Sequence, residues 1–370
     1  GAVKGASRKP AEARAAYEKA VTLAPAYLPA QLNLARVDLA EGRLDDARKR
    51  LTALQRSRPQ DVLVLTELGR VELRSGRLAE ALPLLEKAHA LAPGDPAAGL
   101  ELLGLYQRTD KSAAALALAK QLAVSRPEDL AVQEALGRAR LATGDTAGAR
   151  SAFTTLVRLA GGDAERLVNV GYLQLSAGGA GDASATAEKA LLIKPGLASA
   201  LVLQVEAELA AGSPVRAETL QKAFASRSGN GAEALRLAGD IAMARQQPLE
   251  AAKAYRAAFD KSPSGAMALR VFDVSFQGGE GDKAIGPMEQ WLRGHPDDLQ
   301  ARAALAEGYL RLGRLSLARE AYEALLVRAP GHAVATNNLA QVLMRMGDPG
   351  AMAMAERAVR LAPGDANALD

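Results

Sequence analysis

The chain has 370 residues, of which 49% are hydrophobic but only 4% are aromatic, and its formal net charge is +4. This composition argues against one large globular core, and so mild a charge gives no support to a nucleic-acid partner. The absence of cysteine excludes disulfides and thiolate chemistry. The sequence contains no apolar run long enough for a transmembrane helix and no signal-peptide pattern.

The start of the chain has the pattern of an incomplete structural unit. Residues 1–9 form a short polar lead. Residues 10–24 have the pattern of an amphipathic helix that ends at Pro25, because proline cannot continue a helix. No matching helix precedes this one, so residues 10–27 are predicted to be the second half of a repeat.

From Pro25 onward, nodes of proline or glycine recur with a fixed stride. The step from Pro25 to Pro59 is 34 residues, as are the next two, and the last three steps are 33, 34 and 33 residues. An alanine lies twelve residues before every node, where a small side chain lets two helices approach closely. The nodes are Pro25, Pro59, Pro93, Pro127, Gly161, Pro195, Gly229, Pro263, Pro296, Pro330 and Pro363.

Residues 299–332 show most clearly what repeats. Leu305, Tyr309 and Leu312 form one apolar stripe at helical spacing, and Gly313 then interrupts it. A second stripe follows and ends before Pro330. Each predicted helix is too short to be stable alone, so each must bury its stripe against a neighbouring helix.

This pattern predicts ten full helix–turn–helix repeats over residues 28–365. The eighth repeat deviates most from the pattern. It is one residue short, so the sequence leaves the register of its helices undetermined by one position. Glycine-rich junctions at 161–163 and 226–231 are predicted to be tolerated variation at surface turns, with hinges as the alternative. The repeats are predicted to begin at Leu28, Val62, Pro96, Leu130, Ala164, Ala198, Ala232, Ala266, Leu299 and Ala333.

A helical period of 34 residues with small, aromatic and proline nodes resembles the tetratricopeptide repeat from one end of the chain to the other. The Leu-Gly pair of that family's first helix recurs at Leu68-Gly69 and Leu136-Gly137, and its second-helix aromatic recurs at Phe153, Tyr255 and Tyr322. The resemblance implies an all-α fold, a right-handed α–α superhelix built as one solenoid domain over residues 1–370. Residues 366–370 would begin a further, truncated repeat.

No group of residues in the sequence forms a catalytic or metal-binding pattern. His89, His295 and His332 lie near repeat ends, and none has a second ligand at metal spacing. The glycine clusters at 178–181 and 278–281 lack the preceding strand and the following Lys-Ser/Thr of a phosphate loop. We therefore predict that the chain is not an enzyme and uses no cofactor or metal.

The resemblance also implies where a ligand would bind. In tetratricopeptide proteins the first helices line a concave groove, through their second, fifth, sixth, ninth, twelfth and thirteenth positions. In the eighth repeat, counted from Ala266, the ninth position is Val274. The predicted groove-binding residues of this chain are Asn33, Arg36, Arg70, Arg74, Arg108, Arg138, Asn169, Tyr172, Glu206, Asp240, Glu307, Asn337, Asn338 and Gln341.

Two interpretations of these groove residues stay open. Arginine pairs well with carboxylates, and Asn and Tyr suit peptide backbones or sugar hydroxyls. The alternative is a solvated face on which Arg70 pairs with Glu67 or Glu101 of the same or the next repeat. The lysines of the carboxylate clamp found in chaperone-binding members are absent, so Asn33 and Arg36 match that motif only loosely.

The alanine- and arginine-rich sequence, above all in residues 353–370, is similar to the sequences of bacterial envelope members of the family. These include tetratricopeptide lipoproteins of the PEP-CTERM system and scaffolds of exopolysaccharide or cellulose export. The similarity implies a periplasmic scaffold that binds protein or peptide segments or polysaccharide, with a membrane tether only outside this sequence. One alternative is a cytoplasmic adaptor or co-chaperone that recognises acidic peptide tails through the Arg36–Arg138 region. Another is the binding portion of a larger enzyme.

Overall fold

The computed structural model describes residues 10–362, and every regular element in that range is an α-helix. The predicted all-α class is confirmed. The truncated repeat at 366–370 and the node at Pro363 lie outside the described residues. The helices are α1 (Pro10–Leu23), α2 (Leu28–Ala40), α3 (Leu44–Ser57), α4 (Val62–Arg74), α5 (Leu78–Leu91), α6 (Pro96–Arg108), α7 (Ser112–Ser125), α8 (Leu130–Ala142), α9 (Thr146–Ala160), α10 (Ala164–Ser176), α11 (Ala180–Ile193), α12 (Ala198–Ala210), α13 (Pro214–Ser228), α14 (Ala232–Ala244), α15 (Pro248–Lys261), α16 (Gly265–Gln277), α17 (Gly281–Gly294), α18 (Leu299–Arg311), α19 (Leu315–Arg328), α20 (Ala333–Arg345) and α21 (Ala351–Leu361).

The chain divides into two compact halves, Gly1–Asp182 and Ala183–Asp370. Within each half, consecutive helices pack against each other, and first helices of successive repeats also touch, as α4 does with α6 and α16 with α18. This stacking of neighbours is the architecture expected of helical repeats. The single continuous domain inferred from the sequence stays a prediction.

Nine of the ten first helices begin at the predicted residue, and the eighth begins one residue earlier, at Gly265. Five of the ten first helices use an aspartate as the N-cap, as Asp61 and Asp298 do. In the eighth repeat Ser264, directly after Pro263, accepts the amide of Met267 at 3.2 Å instead. The ninth position of this repeat is therefore Asp273 rather than Val274, which is 4% exposed and belongs to the core.

The short turn within each repeat requires a left-handed residue. Glycine supplies it in eight repeats, for example Gly42 (φ 77°) and Gly313 (φ 70°). Asp110 (φ 54°) and Gln246 (φ 59°) adopt the same conformation with a side chain present, which carries a steric cost. Ten of the eleven alanines twelve residues before the nodes are buried, with Ala47, Ala149 and Ala251 each at 0% exposure, whereas Ala351 is only partly buried.

In several repeats, a large side chain at the eighth or the twenty-fourth position is matched by a small residue at the other. Where the twenty-fourth residue is Phe153, the eighth is Gly137, and a Cβ built there would lie 2.2 Å from the ring. Gly239 stands in the same relation to Tyr255, at 2.3 Å. Where the eighth residue is large, as at Leu103, the twenty-fourth is small, Ala119. In these three repeats a large side chain therefore faces a small residue, as a close-packed interior requires. The pairs Gly171 with Ala187 and Phe272 with Met288 do not follow this pattern.

Candidate functional site

The predicted groove residues lie on the first helices, so we name the surface formed by positions five, six, nine and thirteen of those helices the first-helix face. In the N-terminal half this face carries a ladder of ion pairs between consecutive repeats. Arg36 donates to Glu67 of the next repeat at 2.6 Å, and Arg70 donates to Glu101 of the repeat after at 2.7 Å. Arg70 also donates to Glu67 at 2.8 Å. The ladder begins at Asn33, whose side-chain oxygen accepts from Arg36 at 3.4 Å.

The arginines of the ladder contact a buried carboxylate, that of Glu67. The side chain of Glu67 is only 5% exposed, and its two arginine partners are its charge compensation. Burial opposes the charge of Arg70, but its hydrogen bonds to Glu101 and Glu67 outweigh this and raise the pKa of the guanidinium. Removing one partner of a buried pair leaves an uncompensated charge and costs about 3–5 kcal/mol. A ligand that drew Arg36 and Arg70 away from Glu67 would have to offset a cost of that kind.

The other arginines predicted for the N-terminal groove have separate environments. Arg108 donates to the main-chain oxygen of Leu73 at 3.2 Å, which satisfies a carbonyl near the end of α4. Arg74 is exposed and makes no ion pair with any residue in the range 10–362. The structure therefore does not bring Arg74, Arg108 and Arg138 together into one site.

A cavity of about 740 Å³ opens on the first-helix face between α8 and α10. Arg138 lines it and pairs with Glu134 of its own helix at 2.8 Å, with the two side chains 56% and 45% exposed. Leu130 and Leu173, which are half-buried, supply apolar surface. This cavity brings together three predicted groove residues, Arg138, Asn169 and Tyr172, and adds Arg166, which the sequence reasoning missed. We name it the α8–α10 pocket.

In the C-terminal half, the predicted acidic residues are already paired. Arg236 donates to Glu206 at 2.7 Å and to Asp240 at 2.5 Å, and Arg270 donates to Asp240 at 2.6 Å. Burial opposes the charge of Arg236, but its carboxylate partners outweigh this and raise its pKa. The hydroxyl of Tyr255 also donates to Asp240 at 2.6 Å, and burial together with that bond raises the pKa of the phenol. Glu206 and Asp240 therefore belong to a closed internal network.

The last two repeats carry the remaining predicted residues. Glu307 lies 3.7 Å from Arg311 of the same helix. Asn338 donates to the hydroxyl of Tyr322 at 3.0 Å, and burial raises the pKa of that phenol to about 12 although the bond opposes it. Asn337 is half-buried and Gln341 is exposed, both on α20. These four residues do not line the α8–α10 pocket, so their role in binding stays a prediction.

The sequence reasoning missed a second set of polar contacts, inside the stack. At the eleventh position of a first helix, Asp38, Glu72 and Glu208 are all at least 94% buried. Each contacts the twenty-first position of the repeat before: Arg14 with Asp38, Arg48 with Glu72 at 3.2 Å, and Ser184 with Glu208 at 2.7 Å. The signal in the sequence is an acid 24 residues after an arginine or serine.

Burial affects the titration of two of these acids. It raises the pKa of Glu72 above its ordinary value, against the opposing charge of Arg48. It likewise raises the pKa of Asp38, although Arg14 and Arg50 oppose the shift. Asp38 also lines a cavity of about 570 Å³ together with Arg14 and Arg50. Because Asp38 and Glu72 both pair with an arginine of the preceding repeat, we assign them to the packing of successive repeats.

Two searches of the described residues give negative findings. Residues 10–362 contain no group of three or more His, Asp or Glu side chains placed to hold a metal ion. Within that same range, no helix combines the length and apolar character needed to cross a membrane.

A stack of helix pairs with a polar first-helix face and one cavity shared by neighbouring first helices defines a repeat-built interaction scaffold. The tetratricopeptide-repeat family model matches residues 32–96, 236–299 and 303–366, which is more than half of the chain. A second tetratricopeptide-repeat model matches residues 72–139. The chain belongs to the tetratricopeptide-repeat family.

Three solved structures are similar to this chain over more than half of its length. A tetratricopeptide repeat protein from Parabacteroides merdae is 17% identical, with 66% of this chain and 97% of that chain covered and a TM-score of 0.46. The C-terminal part of a repeat protein from Cytophaga hutchinsonii is 11% identical, with 63% and 96% covered and a TM-score of 0.48. PilF from Pseudomonas aeruginosa is 18% identical, with 56% and 95% covered and a TM-score of 0.43. A search of curated proteins gave no match.

Proposed function

We propose that this chain is a scaffold whose α8–α10 pocket binds an extended segment of a partner protein. The observation that carries the proposal is the pocket itself, in which an exposed arginine, an amide and a tyrosine line a cavity with an apolar wall. Proteins of the tetratricopeptide class typically bind other proteins without catalysing a reaction, and the mixed lining suits that role.

The charges of the pocket favour a segment with an acidic side chain beside an apolar one. Arg138 is held only by Glu134, and an exposed pair four residues apart on a helix contributes about 0.3–0.5 kcal/mol. A ligand carboxylate can therefore replace Glu134 at little cost and accept a charge-assisted hydrogen bond. Leu130 and Leu173 would contact the apolar side chain.

A peptide display library tests the proposal, with the chain immobilised and the bound sequences read out. The wild type should enrich peptides with Asp or Glu next to a large apolar residue. Arg138→Glu should lose that enrichment. The matched control is Arg158→Glu on α9, since Arg158 is 62% exposed, pairs with Glu128 at 3.4 Å and does not line the pocket. If Arg138→Glu and the wild type enriched the same peptides, the pocket would not be the binding site.

The biological setting is a further part of this proposal. The similarity of the alanine- and arginine-rich phrasing to bacterial envelope proteins supports a periplasmic scaffold in exopolysaccharide synthesis or export. The test is to express the native gene with its own upstream sequence and to separate the cell into periplasm, membrane and cytoplasm. Recovery in the cytoplasm would reject the envelope setting and leave the adaptor alternative, without affecting the pocket.

A further inference from the structure

The loop between α13 and α14 holds the only asparagine of the sequence that is followed by glycine, Asn230-Gly231. It lies at a junction where most repeats carry a proline. Asn230 is exposed and has a positive φ of 28°, and Gly231 is the N-cap residue of α14. The pair is thus outside regular structure and open to water.

The main-chain amide of Gly231 is available for chemistry. The main-chain hydrogen bonds at this junction use the amides of Gly229 and Asn230, which donate to Ala225, and the oxygen of Gly231, which accepts from Leu235. The Gly231 amide donates to no acceptor among the described residues. Space around it is also open, because a Cβ built on Gly231 would meet only the oxygen of Gly229, at 3.9 Å.

The other asparagines of the described range lack both features. Asn33, Asn169, Asn337 and Asn338 lie within helices, and none is followed by glycine. The amide after each belongs to the i→i−4 ladder of its helix, and the following side chain limits approach.

We propose that Asn230 is a site of spontaneous deamidation. The Gly231 amide loses its proton to water, and its nitrogen attacks the side-chain carbonyl carbon of Asn230, forming a five-membered succinimide. The bond from that carbon to the side-chain nitrogen breaks, and ammonia leaves. One water then opens the ring at either carbonyl, giving aspartate or isoaspartate. The net reaction consumes one water and releases one ammonia.

The product changes the junction between the sixth and seventh repeats. Either product adds a negative charge just before the N-terminus of α14, which favours negative charge. Isoaspartate also lengthens the main chain by one carbon at this point. The junction has no proline ring to hold its conformation, so it accepts the longer link in the loop while α14 keeps its helical bonds.

Mass spectrometry tests the proposal on the intact chain, incubated at mildly alkaline pH in water enriched in oxygen-18. Trypsin releases Ser228–Arg236 as one peptide, since Arg227 and Arg236 flank it. The mass of this peptide should rise with time by the difference between an NH₂ group and an OH group that carries one oxygen-18. A protein isoaspartate methyltransferase should label the fraction that contains isoaspartate. Peptides holding Asn33 or Asn169 should stay unchanged over the same period.

Gly231→Ala is the matched control, because φ −68° and ψ 174° suit an alanine and its Cβ has room. The added methyl group hinders the attacking nitrogen and restricts the main chain, so the rate at Asn230 should fall at least about tenfold. Equal rates in Gly231→Ala and the wild type, or no heavy-oxygen incorporation in Ser228–Arg236, would overturn the proposal. Far-UV circular dichroism of each sample checks that the chain stays folded throughout.

Discussion

Gly137 offers the sharpest test of how the two helices of a repeat are spaced. It lies on α8, and a Cβ at this position would be 2.2 Å from one ring carbon of Phe153 and 2.7 Å from another. Phe153 is fully buried, so displacing its ring would disturb a close-packed core. We predict that Gly137→Ala destabilises the chain although alanine is the better helix former.

The magnitude follows from two opposing contributions. Replacing a mid-helix glycine by alanine gains about 1 kcal/mol in helix propensity. Overpacking a filled core costs about 1–3 kcal/mol, and a contact of 2.2 Å to a buried ring belongs at the upper end. The net expectation is a loss of about 2 kcal/mol in the free energy of unfolding.

Gly104 on α6 is the matched control, because nothing lies within 4 Å of a Cβ built there. Gly104→Ala should show the propensity gain alone, about 0.5–1 kcal/mol. Urea unfolding followed by far-UV circular dichroism measures both variants, and native-state hydrogen exchange of α8 and α9 locates the effect. Phe153→Leu added to Gly137→Ala should recover part of the loss, which is the signature of direct coupling. If Gly137→Ala raised the urea midpoint as Gly104→Ala does, the packing argument would be wrong.

Three further predictions concern charge and turn geometry. Arg48→Ala should lower the free energy of unfolding by about 2 kcal/mol at neutral pH, because the negative charge of buried Glu72 then loses one of its positive partners. Glu72→Gln should change the free energy of unfolding by less than about 1 kcal/mol. The pKa of Glu72 is raised in the folded state, so its contribution to stability is full below the ordinary carboxyl pKa and declines as pH rises through the raised value. Urea titrations across that pH range should show Glu72→Gln flattening the decline and the Arg48→Ala deficit disappearing in acid. Arg70→Ala should lower the free energy of unfolding by about 2 kcal/mol, since two charge-assisted bonds are lost. Arg138→Ala should lower it by less than about 0.5 kcal/mol. Equal thermal midpoints for these two variants would contradict a stabilising role of the ladder. Gln246→Gly should stabilise the chain by about 1 kcal/mol by relieving the left-handed turn, and a lower midpoint would refute this.

The helix boundaries could be predicted because their determinants are local. Proline favours the ends of helices and glycine adopts the left-handed turn without cost, so both mark boundaries where they recur at the nodes and turns of the repeat. Inside a repeat they do not always end a helix, since Pro83 lies within α5 and Pro287 within α17. Only one first helix begins away from its predicted residue, at Gly265, because its junction allows two positions for the N-cap. Ser264 caps the helix directly after Pro263, whereas other junctions cap it one residue later. A spacing of 33 residues shows that a residue is missing, but not on which side of the node.

The pairing on the first-helix face could not be predicted residue by residue, because it depends on two repeats at once. Whether Arg36 is free depends on residue 67, which lies 31 positions away. The register supplies candidate pairs, such as Arg70 with Glu101, but it does not give the burial of either partner. The buried acids at the eleventh position were missed for the same reason, since their partners lie 24 positions earlier in the previous repeat.

Burial of the partner, more than the identity of the arginine, decides which groove positions can bind. Arg36 and Arg138 hold the ninth position of their helices and Arg236 holds the fifth, so all three belong to the first-helix face. Their partners differ in exposure, with Glu67 at 5%, Asp240 at 16% and Glu134 at 45%. The cost of releasing each arginine to a ligand falls in that order, because an exposed carboxylate regains its hydration when its partner leaves and a buried one does not. Of these three, the arginine of the α8–α10 pocket is therefore the one that a ligand can recruit at least cost, whereas Arg36 and Arg236 also join successive repeats through Glu67 and Glu206.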